Sequence, residues 1–160
     1  MEANANTAAE PSDRVLVITR IFDAPRALVF KAWTDPQHRV RWLGPKGFEG
    51  TILNGLEVRT GAAYRFHMRS PEGTDHWLQG VYREVVEPER IVCTYAWADE
   101  NGNATRPETL LTVTFEPYGE AKTKLTLHQA VFESVSACDL HRGGWSTSLD
   151  RLAEYVAQMG

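Results

Sequence analysis

Apolar and polar positions along the chain change period twice, and those changes mark the elements. Residues 14–22 carry the β-rich run Val15-Leu16-Val17-Ile18-Thr19, which predicts a first strand. Asp23-Ala24-Pro25 follows, with Asp23 suited to a helix cap and Pro25 to a first helical turn. Leu28, Val29, Ala32 and Trp33 then fall at helical spacing on one face. Thr34-Asp35-Pro36 ends that helix and starts a second over about residues 36–42. Leu43-Gly44-Pro45-Lys46-Gly47 has the composition of a loop.

From Phe48 onward the period is that of strands for about 80 residues. A strand is predicted over 48–58, with a bulge or turn at Asn54-Gly55. Tyr64, Phe66 and Met68 alternate with Arg65, His67 and Arg69. Further strands are expected over 76–86, 91–98, 109–115 and 124–129. Turn-forming segments separate them, including Pro71-Glu72-Gly73 and Asp99-Glu100-Asn101-Gly102. The short connections imply an antiparallel meander. A last helix carries Trp145, Leu149, Leu152, Val156 and Met159 on one stripe, with Asp150, Arg151 and Glu154 opposite. Ser136 with Asp139 resembles a capping box at its start. Gly143-Gly144 inside it suggests a kink, a close backbone contact or a later start. The expected architecture is α+β, in the order β-α-α-β6-α. Its curved sheet is closed by the C-terminal helix, with room for a ligand between them.

Composition narrows this picture. Residues 1–13 are polar, have no basic start and no apolar core, and read as a disordered tail rather than a signal peptide. Residues 14–160 read as one domain. Cys93 and Cys138 show neither a disulfide framework nor zinc spacing, which fits free thiols in a cytoplasmic protein. The five histidines give no ligand spacing, so no metal and no cofactor are predicted. No apolar run approaches a membrane span. Residues 14–70 hold ten Lys/Arg against four Asp/Glu, and residues 71–160 hold seven against fourteen. In an interleaved α+β fold such charges become solvated faces, and no basic run or stacking motif points to nucleic acid.

Several segments together resemble the START-like SRPBCC superfamily, whose helix-grip fold is shared with the major birch pollen allergen. They are Asp23-Ala24-Pro25 with Val29-Phe30, Ala32-Trp33-Thr34-Asp35-Pro36, Trp42-Leu43-Gly44-Pro45, Gly80-Val81-Tyr82, Glu87-Pro88-Glu89-Arg90-Ile91, and Gly144-Trp145 with Leu149 and Leu152. Within the superfamily the chain is most similar to the family named for the activator of heat-shock-protein 90 ATPase (AHSA1-like), over residues 14–158. The resemblance implies an internal cavity that takes lipids, polyketides or other apolar molecules. It also implies two alternatives: stimulation of a chaperone ATPase, and lyase- or cyclase-type chemistry.

The inward positions read as the ligand-binding set: Tyr64, Phe66, Met68, Tyr95, Trp97, Leu111, Val113, Leu127, Trp145 and Leu149, with Trp42 guarding the entrance from its loop. Packing of these side chains against one another is the competing expectation. His141 and Arg142 flank the helix stripe, where Arg142 could meet a ligand carboxylate and His141 could move a proton. His76, His128, Tyr82 and Gln129 are further polar candidates. No nucleophile or phosphate-binding motif is present, so no catalytic residue is assigned. The leading expectation is a module that binds a small apolar or amphipathic molecule, and the alternative partner is a chaperone.

Overall fold

The computed structural model describes residues 12–54 and 57–159. Ser12–Arg14 form a 3₁₀ turn, and the rest of the expected tail, residues 1–11, lies outside the described residues. Ten elements follow: β1 (Leu16–Phe22), α1 (Arg26–Thr34), α2 (Pro36–Trp42), β2 (Glu49–Asn54), β3 (Ala63–Arg69), β4 (Asp75–Val86), β5 (Arg90–Ala98), β6 (Thr109–Tyr118), β7 (Lys122–Ala130) and α3 (Val135–Met159). The order β-α-α-β6-α and the α+β class are as expected, and the architecture is the helix-grip fold that the resemblance implies.

The seven strands form one antiparallel sheet in the order β1-β7-β6-β5-β4-β3-β2. Its two edges are β1 and β2, consecutive strands joined by α1 and α2. The short helices therefore carry the chain from one edge of the curved sheet to the other. Asp35 separates them; its carboxylate accepts from the Gln37 N–H and Pro36 opens α2, so one residue ends a helix and caps the next. Two register shifts help bend the sheet, at Ile52/Asn54 and at Tyr82/Glu84. Gly80 lies two residues before the second shift. A Cβ there would collide with the Thr94 carbonyl and the Tyr64 ring.

Three local expectations are corrected. The strand predicted over 48–58 ends at Asn54, and Gly55 lies outside the described residues. Pro25 stands at the N-cap of α1 rather than in its first turn. The last helix begins at Val135, with the Ser134 hydroxyl accepting from the Ala137 N–H, so Ser134 rather than Ser136 is the cap. That helix runs through Gly143-Gly144 without interruption. None of the expected alternatives applies: a Cβ on Gly144 would meet Pro45 at an ordinary 3.9 Å, and one on Gly143 would meet nothing within 4 Å.

The core lies on the concave side of the sheet. Leu16 and Phe22 of β1, Leu125 and Leu127 of β7, Leu111, Val113 and Phe115 of β6, and Ile91 of β5 are buried there. Trp145, Leu149, Leu152 and Val156 of α3 cover them with Val29, Phe30 and Trp33 of α1. Arg151, read as a solvent-facing residue, fixes the cover instead. Its guanidinium donates to the carbonyls of Arg41, Leu43, Gly44 and Pro45 at 2.9–3.1 Å, tying α3 to the loop after α2.

Candidate functional site

The interior between sheet and helices is built from flat rings. Trp33 stacks on Trp145 at 5.8 Å and 17°, and meets Trp42 edge-on at 4.8 Å and Phe115 at 6.0 Å. Such pairs are stabilised by offset and edge-to-face contacts beyond their burial. Trp42 is fully buried at the end of α2, and its indole N–H donates to the Ala32 carbonyl at 3.0 Å. It therefore pins α2 on α1 and does not guard an entrance. Leu111, Val113, Leu127 and Leu149 are buried in the same packed layer.

The remaining expected residues fall into two groups. The first lies at a seam where β5, β6, the β7–α3 connection and the start of α3 meet. Tyr95, Trp97, Thr109, Phe132 and His141 line a recess of about 20 Å³ there, with exposed Arg106, Pro107 and Glu133 at its rim. That is space for about one water molecule. Behind it runs a buried polar chain. The Trp145 indole N–H donates to Gln129 Oε1 at 2.8 Å, Gln129 Nε2 donates to the Thr109 hydroxyl at 2.8 Å, and that hydroxyl donates to the Tyr95 carbonyl at 3.1 Å. Gln129 is thus inward-facing, as the alternation of β7 indicates, and every link is satisfied.

His141 closes the seam. Its Nδ1–H donates to the Ala137 carbonyl at 2.8 Å, which fixes the tautomer, and its Nε2 accepts from the Trp97 indole N–H at 2.8 Å. Both ring nitrogens are engaged, so His141 latches Trp97 rather than standing free to move a proton. Burial lowers its pKa, with the Ala137 carbonyl acting the other way. Arg142 is exposed, with Nη1 3.5 Å from the Val17 carbonyl, and lies outside the interior. The sequence placed the inward arginine on the wrong helix.

The second group surrounds a residue that sequence reading missed. Arg39 on α2 is only 7% exposed. Its guanidinium carbon lies 4.3 Å from the Trp42 ring centroid, 5.3 Å from Trp33 and 5.4 Å from Phe66, and Nη1 has no hydrogen-bond partner. Tyr64, Tyr82, Tyr95 and Cys93 are its electrostatic neighbours. Tyr64 packs at a 38° tilt against Phe66 at 4.9 Å and Tyr82 at 5.1 Å, and its hydroxyl donates to the Thr94 carbonyl at 2.6 Å. Met68, beside them on β3, is buried. The signal for Arg39 was its position three residues before Trp42, which puts both side chains on one face of α2.

Among the described residues, no three or more His, Cys, Asp or Glu side chains converge as metal ligands. Cys93 and Cys138 are buried free thiols. No helix of the described residues is long and apolar enough to cross a membrane.

The sequence profile of the family described as activator of Hsp90 ATPase homolog 1-like protein matches residues 23–157. The chain belongs to the AHSA1 family. No curated protein matches it by sequence. Solved structures with the same fold include a protein from Chromobacterium violaceum, 28% identical, with a TM-score of 0.76 over 89% of this chain and 96% of that one. The AHSA1 protein of Silicibacter pomeroyi is 23% identical, with a TM-score of 0.81 over 91% and 99%. A protein from Arthrobacter aurescens is 24% identical, with a TM-score of 0.82 over 92% and 88%. The AHSA1-type fold is consistent with binding a ligand between sheet and last helix.

Proposed function

We propose that this AHSA1-family domain binds a small amphipathic molecule in the layer between its sheet and α3, entering at the seam beside Tyr95, Trp97 and His141. The observation that carries the reading is the recess at that seam. An exposed rim with Arg106 and Glu133 leads to flat aromatic side chains and then to a buried polar chain, an apolar lining with a few placed polar groups. The recess is one water wide, so a ligand enters by parting the Trp97–His141 hydrogen bond and spreading the rings behind it.

Four of the five tryptophans report on this event: Trp97 lines the recess, Trp145 packs behind it against Tyr95, and Trp33 and Trp42 follow in contact. Titration with dodecanol and with 1-naphthaleneacetamide should quench tryptophan emission saturably and raise the melting temperature by mass action. The variant Ala137→Trp fills the recess from α3 and should lose both signals while keeping the wild-type circular dichroism spectrum. Absence of any response from wild-type protein to these and to the corresponding acids rejects the reading.

A second reading has its own support. The outer surface is not uniformly polar. Val131, Val135 and Leu140 are exposed around the start of α3, Leu140 at 74%. Exposed apolar side chains suit a protein partner, and the family's description names a chaperone ATPase. Stimulated ATP turnover by an Hsp90-type chaperone, lost in Leu140→Asp, would favour this reading if no ligand binds.

A further inference from the structure

We infer that the guanidinium of Arg39 anchors an acidic head group, so that the molecule held between sheet and α3 is a monocarboxylate on an apolar body. The inference rests on the binding reading above and specifies its ligand class. Arginine remains charged in proteins, and a buried charge needs an opposite charge or a full set of acceptors. Arg39 has the rings of Trp33, Trp42 and Phe66, whose faces attract its charge but offer Nη1 no acceptor. Among the described residues no Asp or Glu forms an ion pair with it.

The acidic groups around it do not supply the missing charge. Burial pushes the Cys93 thiol up to about 12 and raises the phenols of Tyr64, Tyr82 and Tyr95. All four are neutral near pH 7, so among the described residues nothing offsets the buried positive charge of Arg39. Desolvation correspondingly lowers the pKa of Arg39 itself. A carboxylate matches the fork of a guanidinium in charge and in geometry, and an apolar body suits the surrounding rings. Tyr95 connects the two places: it packs against Trp97 and His141 at the recess and is an electrostatic neighbour of Arg39.

The test compares an acid with its neutral isostere on the full chain near pH 7, using 1-naphthaleneacetate and 1-naphthaleneacetamide. Wild-type protein should prefer the acid by about tenfold or more, the range of a charge-assisted hydrogen bond made in a dry site. Arg39→Met, of similar length and apolar, should erase the preference, and Arg39→Lys should keep only part of it because the fork is gone. Equal affinity for acid and amide in the wild type, or a preference that survives Arg39→Met, overturns the Arg39 assignment and leaves the binding reading standing. Binding of neither compound, nor of dodecanoate or dodecanol, rejects the binding reading itself. Should the variants fail to fold, guanidinium NMR signals of Arg39 in the wild type decide: the acid should shift them and the amide should not, and unchanged signals with the acid bound overturn the assignment.

Discussion

A second proton on His141 would put an N–H on each ring nitrogen, and Nε2 would then face the Trp97 indole N–H at 2.8 Å, donor against donor. Burial already favours the neutral ring; Arg106 adds to that preference and Glu133 opposes it. The folded-state pKa lies below the ordinary histidine value, so the unfolded chain binds this proton more readily. Stability is therefore complete above the unfolded value of about 6.5 and falls as pH drops from there through the folded pKa. Chemical denaturation of the wild type from pH 7.5 to 5 should show that loss, and His141→Gln should flatten the slope in the same window. Parallel profiles for the two proteins would mean that the latch does not titrate. At this scale the sequence shows which strand residues point inward, because alternation decides it; Tyr64, Phe66, Met68 and Gln129 are all buried as read. It does not show Arg39 or Arg151. An arginine on a helix reads as solvated, and only the packing of α2 against the sheet, or of α3 against the loop after α2, takes these two out of water.

Among elements, α3 departs most from what its sequence suggests. The pair Gly143-Gly144 reads as an interruption, since glycine in a helix interior costs about 1 kcal/mol relative to alanine. The helix continues because its ends are fixed elsewhere, by the Ser134 cap at one end and by the Arg151 contacts and the Leu149, Leu152 and Val156 stripe beyond the glycines. Tertiary packing outweighs local propensity, which is why the kink was legible as a risk and wrong as an outcome. The two glycines differ in what they face. A Cβ on Gly143 would meet nothing within 4 Å, whereas one on Gly144 would come into ordinary contact with Pro45. Gly143→Ala should therefore stabilise the protein by about 0.5–1 kcal/mol, read as a melting-temperature rise of roughly 1–4 °C for a chain of this size. A fall would mean that the glycine is needed for motion or for a contact outside the chain.

For the whole molecule, the sheet and α3 divide unequally into tight and loose parts, and the division bears on ligand entry. Strands β6 and β7 pair on both sides, and Val113, Leu125 and Leu127 beneath them are fully buried. The C-terminal half of α3 is held by its apolar stripe and by four carbonyls on Arg151. The first turns of α3 are held by less: Cys138 is buried, but Leu140 is 74% exposed, and His141 joins the sheet through its bond to Trp97. If a ligand enters by parting that bond, the helix opens from its N-terminal end while its C-terminal half stays docked. Local openings come from regions with few buried apolar contacts. Hydrogen exchange of the free protein should then be slowest in β6 and β7, intermediate in α3 beyond Trp145, and faster over residues 138–143. A bound naphthalene compound should slow exchange in that early segment more than in the sheet. Uniform protection along α3, unchanged by a ligand that does bind, would place the entrance elsewhere, on the β2 side. There the edge strand pairs with β3 alone and its register shifts at Ile52/Asn54.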